Sequence, residues 1–69
     1  MDALEKEFNQ RRGEIKKSVE LLFKANMKIT DWDIPEVDDT EAAKILMSII
    51  KEAISEIEQD IENGKYENY

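Results

Sequence analysis

The chain has 69 residues, 17 acids against 10 bases, a net charge of −7, and neither cysteine nor histidine. Disulfides and the usual zinc sites are therefore excluded, and the charge argues against general affinity for nucleic acid or an anionic membrane. One small domain is expected; a chain this short buries only about 60% of its unfolded surface, so by elimination a partner subunit is the expected added support.

No stretch approaches the roughly 18 apolar residues of a membrane span. The opening MDALEKEF is charged where a secretory leader would be apolar, and the lack of cysteine fits a cytoplasmic protein. The charge is unevenly placed: residues 1–29 sum to +2, 30–41 to −6, 42–51 to +2 and 52–69 to −5. An acidic connector and an acidic tail thus flank an apolar segment.

The first predicted element is a helix over about residues 2–27. Leu4, Phe8, Ile15, Val19, Leu22 and Asn26 recur at helical spacing, and Leu21, Phe23 and Ala25 widen the stripe near its end. Gly13 costs about 1 kcal/mol relative to alanine in mid-helix, and one continuous helix is expected through it. A connector follows from about Lys28 to Val37, with Pro35 disfavouring helix at Ile34. Trp32, Ile34 and Val37 are expected to fold back and close the end of the helical core, the Trp32 indole N–H needing a partner if buried.

The second helix is predicted over about residues 38–63. Asp38 is a candidate N-cap with Glu41 at the reciprocal position, Val37 and Ala42 stand at staple positions, and Asn63-Gly64 is a stop signal. Ala43, Met47, Ile50, Ile54, Ile57 and Ile61 form a heptad seam. Ala42, Leu46, Ile49 and Ala53 make a second stripe beside it, so this helix needs two neighbours, and a hairpin supplies one. In antiparallel register Leu22 lies level with Leu46, Ile15 near Ala53, and Arg11 and Arg12 beside Glu56 and Glu58. Residues 1–64 read as one domain and 65–69 as a frayed polar tail.

The expected fold is all-α: a hairpin of two long antiparallel helices that dimerises into a four-helix bundle. Its core would be Phe8, Ile15, Val19, Leu22, Met47, Ile50, Ile54, Ile57 and Ile61. The stripe Ala42, Leu46, Ile49 and Ala53 would face a second copy or another protein. No catalytic, cofactor or metal residues are assigned. Glu52, Glu56, Glu58, Asp60 and Glu62 could in principle hold a divalent cation, but a solvated acidic face accounts for them, and no nucleophile–base pair or glycine-rich phosphate loop is present. The bases Arg11, Arg12, Lys16, Lys17, Lys24 and Lys28 are interrupted by Glu14 and Glu20, so pairing and solvation explain them better than nucleic-acid binding.

These features imply a non-enzymatic, acidic protein–protein interaction module: an adaptor, regulator or inhibitor, of accessory or phage type in general character. Asp31, Asp33, Glu36, Glu56 and Asp60 form a candidate acidic contact surface. One alternative is a DNA mimic whose carboxylates occupy a basic groove on a nucleic-acid-binding protein. Another is a structural subunit of a larger helical assembly.

Overall fold

The computed structural model describes residues 2–68. It is an all-α hairpin of two helices, α1 (Ala3–Asp33) and α2 (Asp39–Glu62). Asp2 caps α1, its carboxylate accepting the Glu5 N–H at 2.8 Å. The helix runs unbroken through Gly13, where no atom lies close enough to demand a missing side chain.

α1 is longer than its sequence suggests: six residues assigned above to the connector, Lys28–Asp33, are helical. The proline restriction acts only on the residue before it, and the helix stops there, at Ile34, with φ −133° and ψ 81°. Thr30, a weak helix former, is within the helix, its hydroxyl donating to the Asn26 carbonyl at 3.1 Å. The true connector is short. Ile34 N–H still bonds the Thr30 carbonyl, and Val37 N–H bonds the Ile34 carbonyl at 3.1 Å, a turn with Pro35 in the position that suits its fixed φ.

α2 begins and ends as its sequence predicts. Asp38 Oδ1 accepts the N–H groups of Thr40 at 2.9 Å and Glu41 at 3.3 Å, the Asp38 half of the capping box. Asp39 and Glu41 sit in the positive first turn. At the other end Gly64 has φ 82°, its N–H bonds the Ile61 carbonyl, and Lys65 N–H bonds the Asp60 carbonyl. This is a Schellman stop, and it requires the left-handed conformation that glycine adopts without strain.

Residues 63–68 form turns. Lys65 Nζ pairs with Asp60 at 3.3 Å and lies 5.8 Å from the Tyr66 ring centre. Met1 and Tyr69, the outer limits of the predicted domain and tail, lie outside the described residues.

The two helices meet only beside the turn. The partly covered apolar residues are Phe23 and Met27 of α1, Val37 of the turn, and Ala42, Ala43, Leu46 and Ile50 of α2. No described residue is fully buried. Farther out the arms diverge: the molecule measures 49 × 28 × 17 Å, whereas the backbones of two packed helices would span about 14 Å across. The accessible surface is 6434 Å², against roughly 4,500 Å² expected for a compact monomer of 8.1 kDa. One chain thus exposes about 1,900 Å² more than a self-contained fold of its mass.

Candidate interaction surfaces

The divergence leaves the apolar stripe of each arm uncovered. On α1, Leu4 and Phe8 are 65% and 51% exposed, and Ile15, Val19 and Leu22 are also open. On α2, Ile54, Ile57 and Ile61 are open, Ile61 at 59%. Of the nine residues expected to form the hairpin core, only Ile50 is partly covered. The expected pairs from Arg11 and Arg12 to Glu56 and Glu58 do not form, because the arms are apart where these residues lie. Arg12 donates instead to Asn9 Oδ1 at 2.6 Å, and Arg11 stacks over Phe8 at 5.8 Å. The ion pairs among the described residues are local: Lys24 and Lys17 with Glu20, and Lys65 with Asp60. Lys24 holds the Glu20 carboxyl below the usual carboxylate range, first by its hydrogen bond and then by its charge.

The α2 face turned towards α1 lies between the two stripes read from sequence. Ala42 and Leu46, assigned to an outer interface, are partly covered, while Met47, assigned to the core, is 40% exposed. Ile49 lines an open groove at the crotch of the hairpin with Ala42, Leu46, Val37 and the α1 residues Asn26 and Thr30. Ala53 is exposed. Residues every three or four along a helix drift gradually around it, so adjacent stripes share the side that meets a single neighbour.

Trp32 does not fold back. It lies in the last turn of α1 and is 86% exposed. It follows the inward-facing Thr30 by two residues, roughly 200° around the helix, so it points away from α2. Leu21, Ala25, Ile29 and Trp32, at spacings of four, four and three, make an outward apolar stripe. That stripe becomes legible only once Trp32 is placed on the helix.

The candidate acidic surface divides in two. Asp31, Asp33 and Glu36 stand at the turn; Glu56 and Asp60 stand near the far end of α2, where Asp60 is partly covered and paired with Lys65. The 18 residues from Asp38 at the turn to Glu56 span about 27 Å of helix. At the turn, the Asp31 carboxyl lies above its ordinary range, chiefly through a hydrogen bond with Asp39, with lost hydration and like charge adding to it. No cluster of three or more metal-ligating side chains is gathered among the described residues, and no helix is long and apolar enough to cross a membrane.

No protein-family model, curated protein or solved structure matches the chain.

Proposed function

We propose that this chain is a non-enzymatic interaction module, a small acidic regulator, adaptor or inhibitor whose fold is completed by a second copy in a four-helix bundle. The observation that carries this reading is the apolar stripe left open on both arms, from Leu4 to Val19 and from Ile54 to Ile61. A fold with no fully buried described residue cannot offset the conformational entropy of ordering it, so the open faces need another chain. The absence of histidine and cysteine supports a role through contact rather than chemistry, and the lack of cysteine supports a cytoplasmic setting.

The roughly 27 Å of helix between the turn and Glu56 favours protein contact over mimicry of a continuous phosphate array. The test is light scattering of the isolated chain over a dilution series, paired with binding of an apolar dye. A mass near twice 8.1 kDa agrees with the reading; a monomer that binds dye strongly removes the second copy and leaves an interaction module whose open face takes a different protein. A helical monomer that binds no dye sinks it, because its faces would then already be covered.

A further inference from the structure

Resting on the reading above, we infer that two open hairpins interlock mouth to mouth, so that the basic segment of each α1 lies along the acidic end of the partner's α2. Three observations meet here. The first is area. The excess of about 1,900 Å² per chain, doubled in a dimer, falls within the 2,000–5,000 Å² or so of obligate homodimer interfaces. The second is room. The 28 Å breadth of the molecule exceeds that of two packed helices by about one helix diameter.

The third is charge. Phe8 and Ile15 line a shallow groove walled by Arg12 and Lys16, and Arg11 lies over Phe8. Ile54, Ile57 and Ile61 alternate along α2 with Glu56, Glu58 and Glu62, and residues 52–62 contain no base. Each apolar arm is thus edged by the sign of charge that the other needs. Within one chain the two edges do not meet, since the arms diverge. A two-fold pairing brings them together twice, apolar stripe on apolar stripe and base beside acid. The hairpin turns then lie at opposite ends, giving an antiparallel four-helix bundle.

The experiment compares two charge-reversed chains, alone and mixed. Arg11→Glu with Arg12→Glu places acids on the α1 arm opposite the acids of α2; Glu56→Lys with Glu58→Lys places bases on the α2 arm opposite the bases of α1 and takes residues 52–62 from −5 to −1. Glutamate and lysine are both good helix formers, and circular dichroism checks that each variant stays helical. Each variant alone is expected to dimerise about tenfold or more weakly than the parent, and the equimolar mixture to regain affinity to within about threefold as a heterodimer. Lys24→Glu with Lys28→Glu changes the net charge as the first variant does, but near the turn, and is expected to leave the dimer intact. A variant that loses its helix is replaced by its glutamine counterpart, for which a smaller loss in the same direction is expected.

A parent chain that is monomeric at all concentrations overturns the inference. So does a dimer that ignores the arm reversals, one that the turn-proximal control weakens equally, or a mixture that fails to recover. The interaction-module reading falls separately, only if the parent is a monomer that also binds no apolar dye.

Discussion

The half of the hairpin beside the turn and the half at its open end draw on the same residue types, yet only the first begins to cover itself. Phe23 and Met27 of α1 and Ala42, Ala43, Leu46 and Ile50 of α2 are partly covered beside a turn that holds Pro35 and is capped by Asp38. Leu4, Phe8, Ile54 and Ile61 are no less apolar and stay open. What separates the halves is distance from the turn. Near it, the covalent connection holds the helices together at little entropic cost. Farther out, a single thin interface must hold two rods against divergence, and electrostatics within the chain does not help, because the ion pairs are local.

The same aspartate introduced into each half gives the sharpest contrast. Ile50→Asp puts a charge into the covered half, and a loss of roughly 2 kcal/mol or more is expected. In a domain this small that should appear as a collapse of the helical circular-dichroism signal at ambient temperature. An unchanged thermal melt would mean that Ile50 is not where the helices meet. Ile57→Asp acts on an open face. It is expected to leave the hairpin turn formed while weakening dimerisation by about a hundredfold, read by sedimentation across a dilution series. Should Ile57→Asp unfold the chain as readily as Ile50→Asp, the halves would be one cooperative unit rather than two.

A smaller effect isolates the turn itself. Asp38→Ala removes the cap of α2 and should cost about 1 kcal/mol, a fall of roughly 4–8 °C in Tm. Amide exchange should quicken first at Thr40 and Glu41, whose N–H groups lose their acceptor. Uniform acceleration along both helices would instead tie the cap to the whole fold.

Acidity separates the turn from α1 by sign. Asp31 has a raised folded-state pKa because of Asp39. The folded form therefore takes up a proton before the unfolded form does. Its contribution is full below the ordinary carboxylate pKa and is lost as pH rises through the raised value. Glu20, lowered by Lys24, contributes above the ordinary value and loses that contribution as pH falls through its lowered one. Asp31→Asn is expected to flatten the acid-side gain in stability without touching the loss from Glu20, and denaturant titrations between pH 3 and pH 6 or so would read both. A gain that survives Asp31→Asn would have to come from other carboxylates.

Local order was legible in the sequence and long-range cover was not. The cap at Asp38, the stop at Gly64 and the passage through Gly13 each depend on residues within a turn or two, and the sequence places them correctly. The end of α1 lies six residues beyond the stop expected near 27, because no residue of 28–33 bars helix and the steric effect of Pro35 reaches only Ile34. The face assignments on α2 blurred because two stripes one position apart both border the side that meets α1. Which stripe an absent chain would cover is not written in spacing at all. The charge on the arms says more, because Arg11 and Arg12 stand on one arm and the acids of residues 52–62, with no base among them, stand on the other.

Trp32 gives the smallest expected effect and the clearest check on which surface the dimer uses. It is the largest apolar side chain here, and it sits where α1 is farthest in angle from both α2 and the open mouth of the hairpin. If the mouth is what a second copy fills, Trp32 stays in water in monomer and dimer alike. Its fluorescence should keep the emission of a hydrated indole through the whole dilution series, and Trp32→Ala should change stability by no more than about 0.5 kcal/mol. A blue shift on concentration would place the stripe Leu21, Ala25, Ile29 and Trp32 inside the interface, back to back rather than mouth to mouth. The arms would then remain open in the dimer, with their charged edges still unmatched, and the apolar surface left to bind another protein would be that of Phe8, Ile15, Ile54 and Ile57.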